Sequence, residues 1–190
     1  MPRKASSPPK IIYRLKIILQ GIRPPIWRRI EVPGNTRLDH LHLMIQAAMR
    51  WTNGHLHSFT IDGETFSTRD PDGDFDCADE KKFRLDEVIV SEKARFHYTY
   101  DFGDNWEHLL LVERISPPEP GVDYPRCPAG ARACPPEDVG GTPGYADYLE
   151  ALRDPTHEEH AACIEWRGSF DPEAFDVERA NAAVKNYQAM

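Results

Sequence analysis

From residue 94 to 102 the chain alternates without interruption. Phe96, Tyr98, Tyr100 and Phe102 fall on one side, and Arg95, His97, Thr99 and Asp101 on the other. Side chains of a strand point to opposite faces in turn, so this period of two describes a strand with one buried face. A helix would scatter the four aromatics around its circumference. Segment 106–115 follows after only Gly103-Asp104-Asn105 and reads as the return strand of a hairpin. With Asn105 in the left-handed conformation of a three-residue turn, Phe102 faces Trp106, Tyr100 faces His108, and Asp101 opposes Glu107. Opposed carboxylates repel, so this register needs a cation, either a metal ion or the guanidinium of Arg28 or Arg29.

The same alternation runs through 11–19, where Ile11, Tyr13, Leu15, Ile17 and Leu19 are apolar and Arg14 and Lys16 lie between them. After a turn at 21–25, segment 26–32 sets Ile26, Ile30 and Val32 against Trp27, Arg29 and Glu31, and the two segments predict a second hairpin. Past Pro33-Gly34-Asn35 the period changes. Leu38, Leu41, Ile45 and Ala48, joined by Met44 and Met49, predict an amphipathic helix over 38–51. Thr36 and Asp39 resemble a capping box at its start, and Asn53-Gly54 ends it. A short strand is expected at 55–61. A polar, acidic loop follows over 62–82, with a brief strand at Thr65-Phe66, and 83–90 is short and semi-apolar.

Segment 117–143 is rich in proline and glycine and reads as a long loop. Helical patterns follow at 145–153, 157–166 and 176–188, the last with Val177, Ala180, Val184 and Tyr187 as its buried stripe. The order is strand-strand-helix-strand-strand-strand, then helices. It predicts an α+β fold, a mainly antiparallel sheet with one packed helix and a C-terminal helical segment. Residues 1–10 are expected to be a disordered tail, 11–176 one domain, and 177–190 a helix packed on it.

Composition narrows the class. An apolar content of 40% over 190 residues suffices for a folded core. With 23 basic and 31 acidic residues the net charge is -8, which argues against non-specific nucleic-acid binding. The apolar run at 11–19 is too short to span a bilayer and carries two charges, so no membrane partner and a cytoplasmic location are expected. Cys77, Cys127, Cys134 and Cys163 are then expected as reduced thiols.

Two groups of candidate site residues stand out. His55 and His57 project from one face of a strand, and Asp101, Asp104 and His108 could join them if the strands are neighbours. Imidazoles and carboxylates together suit a divalent metal such as zinc. The second group, Trp27, Arg29, Tyr100, Trp106 and Glu107, combines aromatics with charge as a binding surface does. Cys127 and Cys134 could bind zinc with His157, His160 and Cys163, but reduced loop cysteines on a solvated face explain that spacing better. In the acidic run from Asp70 to Asp76 the glycine comes too early for a calcium loop, and Lys81 stands where a bidentate Glu is required. There is no glycine-rich phosphate loop and no Gly-x-Ser-x-Gly elbow.

Several segments together resemble one family. They are Ile26-Trp27-Arg28-Arg29, Leu38 through Trp51, His55-Leu-His-Ser-Phe59, Tyr100-Asp-Phe-Gly-Asp-Asn-Trp-Glu-His108, Cys134-Pro-Pro-Glu-Asp followed by Gly140-Gly141, and Trp166 through Phe175. The chain is similar in these to the root-inducing plasmid open-reading-frame-three-like family. That resemblance implies a plasmid or mobile-element association and no established biochemical activity. Some relatives carry a resolvase label, but the only serines near the N-terminus, Ser6 and Ser7, lie in the predicted tail, and the C-terminal helices have few basic residues. The family pattern often has a further cysteine where this chain has Val139, which weakens a cysteine-metal site. Two functions are therefore expected in competition. One is a non-enzymatic module that binds a protein partner. The other is a metal-dependent hydrolase or nuclease built on the His/Asp group.

Overall fold

A computed structural model describes residues 9–68 and 76–189. The chain runs β1 (Ile12–Leu19), β2 (Trp27–Pro33), α1 (Leu38–Met49), β3 (His57–Ile61), β4 (Glu64–Ser67), β5 (Ala78–Asp79), the one-turn helix α2 (Leu85–Val88), β6 (Arg95–Tyr100), β7 (Trp106–Ser116), β8 (Arg126–Ala131), α3 (Gly141–Arg153), α4 (His160–Arg167) and α5 (Val177–Lys185). Among the described residues, eight strands form one sheet in the order β5-β4-β3-β6-β7-β1-β2-β8. β5 lies parallel to β4 and the other neighbouring pairs are antiparallel. The fold is α+β, as the alternating segments and the following helical patterns predict.

One face of the sheet makes the core. Tyr13, Leu15, Ile17, Ile30, Val32, Phe59, Phe96, Tyr98, Tyr100, Trp106, Leu110 and Val112 are buried there against Leu41, Ile45 and Ala48 of α1. At about 25 cal/mol per Å2 of apolar surface removed from water, this stacked aromatic and aliphatic layer is the main favourable contribution to folding. α1 is buried on more than one stripe, with His42, Gln46 and Ala47 also covered. His42 and Gln46 are covered by β3 and β6, where they meet His57 and Tyr98, while α5 packs on both α1 and β8 and places Ala180 and Val184 in the same core. Tyr187 joins them, whereas Val177 is exposed, so the buried stripe of the last helix begins one turn later than the sequence suggests.

The start of α1 also differs from expectation. Its N-cap is Arg37, and Thr36 provides no side-chain cap. The Leu38 N–H instead donates to the Phe83 carbonyl, and the Leu85 N–H donates to the Thr36 carbonyl, so the 83–85 segment satisfies the helix end. The helix stops at Arg50, which is left-handed at φ 67, two residues before Thr52.

β8 is a strand inside the segment expected to be a loop. Pro128 is tolerated because β8 is an edge strand, and the register with β2 slips between Arg29 and Glu31, where the proline falls. Gly130 is required by close packing. A Cβ there would lie 2.5 Å from the Phe175 ring and 2.9 Å from the Arg28 side chain. Arg28 is 2% exposed and clamps this edge. Its guanidinium donates to the carbonyls of Trp27, Ala48, Ala131 and Arg132 and to the Cys134 sulfur. Ala48 is in the last turn of α1, where the helix dipole favours a cation. No helix among the described residues is long and apolar enough to cross a membrane. The acidic run from Asp70 lies almost wholly outside the described residues.

Candidate functional site

The β6–β7 hairpin has a longer turn than the sequence suggests. Tyr100 pairs with Trp106, Tyr98 with His108 and Thr99 with Glu107. Residues 101–105 therefore form the turn, and Asp101 does not face Glu107. Asp101 itself closes the turn. It sits at φ 56, its carbonyl accepts from the Asn105 N–H, and its Oδ1 accepts from the Gly103 and Asp104 N–H groups. A carboxylate that caps its own turn outcompetes two further rungs of ladder. Arg28 and Arg29 play no part here, because Arg28 is spent on carbonyls and Arg29 is bidentate to Glu113 at 2.5 and 2.8 Å.

The Cys134-Pro-Pro-Glu-Asp segment folds over this tip. Trp51 Nε1 donates to the Pro135 carbonyl at 3.0 Å. Glu137 accepts from the Thr52 N–H and hydroxyl through Oε2, and from the Tyr100 hydroxyl through Oε1 at 2.6 Å. Burial and the adjacent Glu137 carboxylate together push the Tyr100 phenol well above its ordinary pKa, so it stays a donor. Gly140-Gly141 then brings the start of α3 against the hairpin. The Gly140 N–H donates to Asp104 Oδ2, and a Cβ on Gly141 would stand 2.4 Å from the Asp104 carbonyl oxygen.

One metal-ligand cluster results among the described residues: His55, Asp101 and Asp138, each offering an atom within 4.8 Å of the others. His55 Nδ1 is 3.6 Å from Asp101 Oδ2, and Nε2 is 3.0 Å from Asp138 Oδ1. The remaining candidate ligands lie elsewhere. His57 is turned toward Glu80, with Nε2 2.8 Å from its Oε2. Asp104 is occupied at the Gly140 N–H. His108 is wholly buried, its ring edge-on to Trp51, and burial lowers its pKa to about 4. The five residues do not gather in one site, because His108 lies in the core on the inward face of β7 and His57, at the start of β3, is paired with the buried Glu80.

A buried polar network lies beneath the cluster. The rings of His42 and His57 stack with centroids 3.4 Å apart. His42 Nδ1 and Gln46 Nε2 both meet the Tyr98 hydroxyl, and His42 Nε2 meets Asn53 Oδ1. An amide oxygen only accepts, so His42 carries its proton on Nε2 and accepts from Tyr98 at Nδ1. Burial lowers the His42 pKa to about 3. Glu80 is 1% exposed and also accepts from Thr68. His42 and Glu80 carry no motif signal in the sequence, and only their burial reveals them. Glu137 and Asp138 were visible within the Cys-Pro-Pro-Glu-Asp run, but not as partners of Tyr100 and His55.

The expected binding residues divide by face. Tyr100 and Trp106 are 0% exposed and belong to the core. Trp27, Arg29 and Glu107 project from the opposite face. There Ile18, Trp27, Leu109 and Leu111 are half-buried and stand outside the core cluster. Lys16 and Arg29 lie over the Trp27 ring at 4.8 and 5.3 Å. Arg14 and Arg126 pair with Glu31, as Arg29 does with Glu113. In the proline-rich loop, Cys127 is buried with its pKa raised by burial to about 11 and Cys134 packs on Met49, so neither meets His157 or Cys163 in a metal cluster among the described residues.

The sequence and the fold together define a family. Residues 11–179 match the plasmid pRiA4b ORF-3-like proteins, and the chain belongs to that family. It is 40% identical over 181 residues to the uncharacterized protein y4hQ of Sinorhizobium fredii, covering 94% of this chain and 93% of that one. A crystal structure of MM3350, a protein of unknown function from Methanosarcina mazei Go1, superposes with a TM-score of 0.82 at 42% identity, covering 90% of this chain and 97% of the other. The relatives are thus uncharacterised, and the family takes its name from a plasmid reading frame.

Proposed function

We propose that this chain is a non-enzymatic recognition module that binds a protein partner on the open face of its sheet. The observation that carries the reading is the Trp27 platform, an aromatic ring beneath Lys16 and Arg29 and beside Ile18, Leu109 and Leu111. An apolar centre with an aromatic anchor and a charged rim is the anatomy of a protein interface. A polyanion would need unpaired cations, whereas Arg14, Arg29 and Arg126 are already held by Glu31 and Glu113. The partner that fits has a complementary apolar patch rimmed by mixed charge. A cytoplasmic setting accords with the reduced thiols Cys127, Cys134 and Cys163.

The test is affinity capture from a lysate of the organism that encodes the chain, with wild type, Trp27→Asp and His55→Ala as baits and nuclease treatment in parallel. Wild type and His55→Ala should retain the same nuclease-resistant proteins, and Trp27→Asp should lose them. Retention that depends on nucleic acid, or that ignores position 27, contradicts the reading.

A further inference from the structure

We propose that His55, Asp101 and Asp138 bind a divalent transition-metal ion that fastens the Cys134–Asp138 segment to the hairpin tip. The site is independent of the open face, since no residue is shared between them.

The placement of the donor atoms is the first argument. One nitrogen and two carboxylate oxygens lie within 4.8 Å of one another. Ligands about 2.0–2.2 Å from a common ion stand roughly 3–4 Å apart, so small side-chain rotations suffice to close on one. The three residues come from segments far apart in the chain, namely the approach to β3, the β6–β7 turn and the Cys134–Asp138 segment. A shared ligand would thus join three pieces of structure.

The second argument is the direction of the Asp101 carboxylate. Asp101 is 8% exposed. Its Oδ1 is filled by the Gly103 and Asp104 N–H groups. Its Oδ2 is aimed at His55 Nδ1 at 3.6 Å, too long for a hydrogen bond. One oxygen of the carboxylate thus closes the turn while the other is directed into the cluster. The third argument is charge. Asp101 and Asp138 both approach His55, and among the described residues their ion-pair partner is its imidazole, with no lysine or arginine joining them. A divalent ion neutralises both carboxylates at once.

The donor set selects the ion. One imidazole and two carboxylates suit Zn2+ or Mn2+, whereas Mg2+ favours oxygen ligands and retains its waters. Three protein ligands leave positions open to water.

The experiment is isothermal titration of the full chain, stripped with chelator, using Zn2+ and then Mg2+, alongside melting curves. Wild type should bind one Zn2+ per chain, melt at a higher temperature in its presence, and show much weaker heat with Mg2+. Asp138→Asn and His55→Ala should each weaken Zn2+ at least tenfold, since even second-shell changes cost about 10–100-fold. Asp138 is on the surface, so its variant tests the site without disturbing the core, and its melting temperature without metal should equal that of wild type. His97→Ala, on the open face, should bind as wild type does. Absence of Zn2+ binding, affinity unchanged in Asp138→Asn, or equal loss in His97→Ala would overturn the proposal.

Discussion

The imidazole of His42 lies flat on that of His57, with ring centroids 3.4 Å apart and planes within 2°. The pair joins α1 to β3 inside a polar network that includes Glu80, Tyr98, Gln46 and Asn53. Stacking at that distance tolerates at most one positive ring. His42 is the neutral member, because its Nδ1 must accept from Tyr98.

Stability should therefore fall in mild acid. The folded-state pKa values of His42 and His108 lie at about 3 and about 4, below the ordinary 6.5. Below pH 6.5 the unfolded chain binds protons that these buried rings refuse. Their contribution is complete above pH 6.5 and is lost as the pH falls from there through about 4. Each ring adds a slope of up to about 1.4 kcal/mol per pH unit in that window. Urea unfolding at pH 7.5, 6 and 5 measures it, and a flat profile from 7.5 to 5 contradicts buried neutral rings at His42 and His108.

Tyr98 should be sensitive at both ends. Tyr98→Phe leaves His42 Nδ1 and the Gln46 amide without their buried partner and should cost about 1–3 kcal/mol. Tyr98→Ala removes the ring as well and should cost about 3–5 kcal/mol. A loss below about 1 kcal/mol for the alanine variant would remove this face from the core.

At the sheet edge, Arg28→Met should strand four backbone carbonyls of β2, α1 and the β8 end. The expected loss is about 3–5 kcal/mol, the range for removing one partner of a buried charged group. Hydrogen exchange should quicken first over 126–132. Uniform protection there would place the clamp elsewhere.

Glu137→Gln keeps the shape of the side chain but replaces a charged acceptor of three hydrogen bonds. The Cys134–Asp138 segment should loosen, with a change in Trp51 fluorescence and a stability loss of about 1.5–3 kcal/mol. An unchanged spectrum and melting temperature would show that the segment is held without this carboxylate.

What the sequence revealed follows from which interactions are local. Alternation in β1, β2, β6 and β7 is a local pattern, and it assigned Phe96, Tyr98, Tyr100 and Leu110 to the core correctly. β8 was illegible because Cys127-Pro-Ala-Gly130 has no β-branched residue, and its pairing is fixed by Arg28 and Phe175 from other elements. Tyr100 reads both as core and, with Trp106, as a binding surface; both are core, because Trp51 from beyond the α1 end packs on both rings and Glu137 takes the Tyr100 hydroxyl. His55 and Asp101 of the proposed site are legible as candidates by residue type. Asp138 is not, since nothing in its spacing announces its approach to His55. The turn register failed because Asp101 caps the turn with its side chain, a choice that residue pairing alone does not show.

The central claim, a protein partner on the open sheet face, is tested most directly by photo-crosslinking in cells. A benzophenone amino acid is placed at Leu109, on that face, or at Glu150, exposed on α3. The account predicts a discrete, nuclease-resistant protein adduct from position 109 that is absent from position 150. No adduct at 109, or the same adduct from both positions, would contradict it.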